Sequence, residues 1–83
     1  MKNQVGKVTH YFNNINVAII KLSDKLTAGE TVHFKGHTSD FDQVIDSMQI
    51  DHSQVESAKK GQEVGVKVSE HTRVGDDVLR AES

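Results

Sequence analysis

Five histidines, His10, His33, His37, His52 and His71, are the side chains best suited to chemistry, because imidazole titrates near neutral pH and ligates metals. A hairpin carrying His33, His37 and Asp40 would gather three ligand-type groups at one end. A metal site also needs fixed geometry and supporting partners behind its ligands. Neither an HxH nor an HExxH pattern occurs, so we expect exposed, titrating histidines and no metal or other cofactor. Asp40, Asp42, Asp46 and Asp51 crowd one stretch, but paired carboxylates work as acid and base only across a cleft. Ser39 or Ser47 as nucleophile would need a base and an oxyanion hole, and no elbow motif frames either. These residues point to no enzyme.

The lysines offer a different chemistry. Lys35, Lys59, Lys60 and Lys67, if they converge, would meet RNA phosphate, and Tyr11 or Phe41 would add a stacking platform. Set against that is ordinary solubilising charge, with Glu30, Glu56 and Glu63 interspersed. The net charge of −2 lacks the usual electrostatic signature of a nucleic-acid binder.

The elements that must position these residues are strands. The stretch 31–50 reads as two strands around a polar turn at 36–40, and the rest of the chain is organised about it. In residues 31–35, Val32 and Phe34 point in. The following strand, 41–51, changes the parity of its apolar residues. A bulge near Asp46 and Ser47 would put Ile45, Met48 and Ile50 on one face and bend the strand as a barrel corner requires. Phe41 is either a core plug at the hairpin end or an exposed contact.

Before it, residues 4–12 form a strand with Val8 and Phe12 inward, and Gly6 allows a close neighbour. Asn13 and Asn14 make a turn into strand 16–22, whose Val17 and Ile19 face is partly covered. After it, residues 52–60 read as a loop with one helical turn at most, Val55 plugging a barrel end. Strand 63–69 turns Val64, Val66 and Val68 inward, 77–80 is a short closing strand, and 81–83 fray. Three segments share the form Gly-polar-polar-Val, beginning at Gly29, Gly61 and Gly75. Each predicts a glycine with positive φ where a strand starts, then a first inward valine.

The totals fit this picture. A length of 83 residues suits one small domain, 1–83, and 35% hydrophobic residues with 5% aromatics supply one thin core. The absence of Cys excludes disulfides and thiolate metal sites. With 27% charged residues and little net charge the chain is not of the disordered class. Its first residues lack the apolar run of a signal peptide and nothing would span a membrane, so the expected location is cytoplasmic.

The ordered set of turns and strands resembles domain 2 of the translational GTPases, the β-barrel of elongation factor Tu and its relatives. The residues that carry this are Val5-Gly6-Lys7-Val8, 26–32, 44–50, 60–66 and 74–79. The match looks closer still to stand-alone translation elongation factor-like proteins. It is similar too to the C-terminal barrel of U32-family peptidases, through 6–12, 36–41 and 47–50. The resemblance implies an all-β, six- to seven-stranded antiparallel Greek-key barrel of the translation-protein type. There is no P-loop, so no nucleotide is implied. In elongation factor Tu a Glu, an Arg and an Asn of this barrel help hold the aminoacyl end of tRNA. Those places fall on Gln49, His52 and Glu63 here, and none keeps the family residue.

The function expected is a non-catalytic binding module that meets RNA or a ribosome-associated protein through 36–41 and 49–60. Its candidate surface comprises Lys35, His37, Phe41, Gln49, His52, Lys59, Lys60 and Lys67. The alternative is an accessory, protein-interacting barrel working with a separate peptidase-like enzyme.

Overall fold

Alternation of buried and exposed residues produces strands throughout the computed structural model, which describes residues 4–36, 40–51 and 53–80. In chain order the strands are β1 (Gln4–Phe12), β2 (Val17–Leu22), β3 (Leu26–Thr27), β4 (Thr31–Lys35), β5 (Asp40–Val44), β6 (Met48–Ile50), β7 (Ser53–Val55), β8 (Ser57–Ala58), β9 (Glu63–Lys67) and β10 (Asp77–Arg80). No helix occurs among the described residues. Antiparallel pairing orders eight strands as β5-β4-β10-β1-β2-β9-β6-β7, with β3 and β8 as a separate pair. Neighbours that are distant in sequence, such as β4 with β10 and β2 with β9, give the small barrel its Greek-key character.

β5 and β6 are consecutive in the chain yet stand near opposite ends of that order. The link between them must therefore close the curled sheet. At the seam the Gln43 side chain replaces a backbone ladder. Its Nε2 donates to the Lys67 carbonyl (2.6 Å) and its Oε1 accepts from the Ser69 N–H (2.8 Å). Phe34, Ile20, Leu26, Ile45, Met48, Val32, Val64, Val66 and Val78 fill the interior and are essentially inaccessible to solvent. Phe41 packs on this core as a hairpin-end plug, its ring stacked on its cross-strand partner Phe34 at 5.1 Å.

One turn is built three times. Gly29, Gly61 and Gly75 have φ of 97°, 91° and 97°, at the third position of turns whose ends are bonded Glu30 N–H to Thr27 O, Gln62 N–H to Lys59 O and Asp76 N–H to Arg73 O. Positive φ at that position defines a type II turn. In each, the side chain after the glycine reaches back to the first residue's N–H: Glu30 to Thr27 (2.7 Å), Gln62 to Lys59 (2.8 Å) and Asp76 to Arg73 (3.0 Å). Each turn also exchanges two backbone bonds with one buried apolar residue of another segment: Ile45, Leu22 and Val8 respectively. The valines that follow, Val32, Val64 and Val78, are fully buried, as expected.

The long strand predicted at 41–51 divides at 45–47, where β5 leaves β4 and β6 joins β9. Ile45 and Met48 are both buried across this break while Val44 is 48% exposed, which is the parity change anticipated. Half-buried Val17 and Ile19 also match expectation.

Two readings need correction. Phe12 points outward, 43% exposed, because β1 shifts register against β2 between Val8 and His10. The extra residue flips the parity, so Tyr11 packs against the core and Phe12 lies outside, its ring tilted against that of His10 at 4.5 Å. Residues 53–58 hold two short strands, not a helical turn: β7 pairs with β6 and β8 with β3. Six strands of four or more residues match the expected count, and four segments of two or three residues flank them among the described residues. Fraying at 81–83 lies outside the described residues.

Candidate functional site

The most distinctive outer surface lies across β2, β9 and β6. Register places Val17 opposite Lys67, Ile19 opposite Gly65 and Lys21 opposite Glu63, and Gly65 in turn opposite Gln49. Alternation turns Val17, Ile19, Gly65 and Gln49 to the same outer side. Gly65 has no side chain to fill that row, so the wall sinks between Ile19 and Gln49. The β1–β2 hairpin adds Phe12 and Ile15, the latter 58% exposed, as an apolar flank. Asp51 and Glu63 supply carboxylates at the rim of an open groove of about 370 Å³. Asp51 sits at φ +50° just beyond β6, a left-handed conformation that Asp tolerates better than most residues. Glu63 Oε2 accepts from Thr9 Oγ1 at 3.2 Å.

A second groove of about 470 Å³ follows the seam past Gln43, Val44, Asp46, Ser47 and Lys67. Its central polar side chain, Gln43, is committed to barrel closure. A ligand there would compete with bonds that hold the fold, so the groove over Gly65 is the better candidate.

The outer face of β4 and β5 carries a polar cluster. His33 Nδ1 meets Asp42 Oδ1 at 2.5 Å and His33 Nε2 meets Asp40 Oδ1 at 2.6 Å. The Asp42 hydrogen bond, helped by Asp40, raises the His33 pKa above its ordinary value against a smaller opposing effect of burial. Both ring nitrogens are thereby occupied by carboxylates. No group of three or more His, Asp or Glu among the described residues has an arrangement that could hold a metal ion. Elsewhere on the wall, Arg80 Nε donates to Glu30 (2.9 Å), and Arg80 also meets Asp24 and the Lys25 carbonyl.

Of the described residues of the expected surface (Lys35, Phe41, Gln49, Lys59, Lys60 and Lys67), only Gln49 lines the groove over Gly65; Glu63, at a place that holds tRNA in elongation factor Tu, lines it too. Phe41 belongs to the core edge. Lys59 and Lys60 lie in the turn before β9, Lys67 at its far end, and Lys35 at the end of β4 opposite Asp40 and Asp77. His37, His52 and Ser39 lie outside the described residues. Sequence reasoning missed Phe12, Ile15, Asp51 and Gly65 as site residues. Gly65 had a legible signal, a glycine inside an otherwise valine-rich strand. The outward turn of Phe12 had none, since it depends on a register shift.

No family model matches the chain. Over 78 residues, 93% of its length, it is 41% identical to an uncharacterized protease of Methanocaldococcus jannaschii. The chain spans only 19% of that relative. The fold is shared with the C-terminal domain of a Geobacillus thermoleovorans protein assigned to the U32 peptidases, known from two crystal structures. One superposes with a TM-score of 0.90 at 20% identity, covering 96% of this chain and 93% of that domain. The other, a selenomethionine variant, gives 0.89 at 21% identity, covering 93% and 98%. These relatives answer to the U32 side of the expected resemblance; they lend nothing to the translation-factor or RNA-binding side.

Proposed function

We propose that this barrel is a non-catalytic protein-interaction module that works beside a peptidase-like enzyme in the cytoplasm. The observation that carries this reading is the groove over Gly65, an apolar floor with an acidic rim on a rigid sheet. Such a surface suits a protein partner, because its carboxylates repel phosphate while Phe12, Ile15 and Ile19 favour apolar contact. The likeness to a protease-assigned relative over one fifth of that protein's length supports an accessory role rather than a complete enzyme.

The test is capture from native cell extract on the immobilised chain, with and without nuclease and across a salt series. The reading expects a peptidase-like protein, retained after nuclease treatment and weakly sensitive to salt. Recovery of RNA, or of proteins lost on nuclease treatment with a steep salt dependence, would overturn it in favour of the nucleic-acid reading.

A further inference from the structure

We propose that the groove over Gly65 docks an extended polypeptide segment bearing an apolar side chain next to a lysine or arginine. The inference rests on the interaction-module reading and specifies what the module holds.

Gly65 is the first reason. A glycine inside a strand is destabilising relative to alanine, so it calls for a cause. Its φ is not among the positive values that explain Gly29, Gly61 and Gly75. Packing does not exclude a side chain either. A Cβ placed there would meet Ile19 Cδ1 and Val17 Cγ1 at 3.4 Å and the Gln49 carbonyl at 3.9 Å, ordinary contact distances. The bare backbone instead leaves a low floor that something outside the chain can approach closely.

Charge selects the occupant. Five other carboxylates on or beside the strands have cations: Asp40 and Asp42 share His33, Asp24 and Glu30 share Arg80, and Asp77 meets Lys7 at 3.9 Å; Asp46, Glu56 and Asp76 form no ion pair among the described residues, but none of them lines the groove over Gly65. Asp51 and Glu63 form no ion pair among the described residues, and Lys21, across the strand from Glu63, does not close on it. Two uncompensated carboxylates beside an apolar floor favour a cation attached to an apolar group and reject phosphate. The groove is open to solvent, and the Gln49 amide can both donate to and accept from a peptide backbone. A basic, apolar polypeptide meets all three requirements together.

The probe is the peptide acetyl-Gly-Lys-Leu-Lys-Gly-amide, titrated into the isotopically labelled full chain and followed by amide NMR. Shift changes should cluster on Ile19, Gln49, Glu63 and Gly65. Replacing both peptide lysines by glutamate should weaken binding roughly tenfold or more. Gly65→Leu should abolish the shifts while leaving the amide spectrum of a folded barrel, and Glu63→Gln with Asp51→Asn should weaken binding several-fold. Shifts clustered elsewhere, equal binding of the glutamate peptide, or displacement of the peptide from these amides by an oligonucleotide would overturn the proposal. The two readings separate cleanly. A chain that captures a peptidase-like partner but shows no peptide shifts sinks this inference and leaves the module reading standing. Peptide binding without any such partner does the reverse.

Discussion

Gly61 and Gly65 flank the first residues of β9, and they are glycines for opposite reasons. Gly61 sits at φ +91° in a turn whose hydrogen bonds recur at Gly29 and Gly75. A Cβ there would meet open space, so the demand comes from the backbone alone. Gly65 lies in a regular ladder between Ile19 and Gln49, where the backbone makes no such demand. The first kind of glycine serves the barrel: it starts a strand and places a valine in the core. The second gives the barrel nothing that alanine would not give. Where folding supplies no cause for a costly residue, the outer surface is the place to seek one.

Substitution by alanine separates the two kinds most sharply. Gly61→Ala and Gly75→Ala force an L-residue into a disfavoured region, at about 1–3 kcal/mol each. For a domain of this size each loss lowers Tm by several degrees, about 4–8 °C per kcal/mol. The double variant should show near-additive losses, because the turns clamp different residues, Leu22 and Val8. Gly65→Ala should leave Tm unchanged or raise it slightly. Thermal melts read all four proteins, and a Gly65→Ala loss as large as that of Gly61→Ala would break the comparison.

A smaller effect tests whether the three turns are equivalent in strength. Asp76 is 4% exposed and Gln62 is exposed, yet each side chain bonds the first N–H of its turn. Water replaces the lost acceptor at the exposed Lys59 bond more readily than at the half-buried bond to the Arg73 N–H. Asp76→Ala should therefore cost about 1–2 kcal/mol, and Gln62→Ala about 0.5 kcal/mol or less, by denaturant unfolding. Equal costs would mean that burial does not rank the turns.

Much of the fold was legible because its signals are local. Gly-polar-polar-Val encodes a turn and an inward residue within four positions, and the valines at 32, 64 and 78 went where that pattern sent them. The break after Ile45 was legible too, since a strand cannot hold Ile45 and Met48 on one face without an extra residue. The register shift in β1 left no such trace. Both Val8-Phe12 and Val8-Tyr11 are acceptable apolar sets, and only pairing with β2 chooses between them. The groove depends on that choice through Phe12, and on three strands meeting through Gly65, so it is non-local. The lysines drew attention by their charge. What distinguishes the surface is two carboxylates, Asp51 and Glu63, with no ion pair among the described residues and set beside an apolar floor, and neither pairing nor that neighbourhood is visible in a sequence.

Carboxylates that do have a partner yield the last and smallest test. His33 lies between Asp42 and Asp40, and its pKa is raised above the unfolded value, ordinarily near 6.5. The folded state therefore holds the proton more tightly than the unfolded chain. That contribution to stability is fully present below the unfolded pKa and is lost as pH rises through the raised folded value. The stability of the native chain relative to His33→Gln should thus fall as pH rises from the unfolded pKa through the raised folded one, with little further change above it. The cluster is partly exposed, so salt should shrink the effect. A flat difference for His33→Gln, or an imidazole titrating at or below its ordinary value by NMR, would erase the distinction between paired and unpaired carboxylates on which the choice of a basic occupant rests.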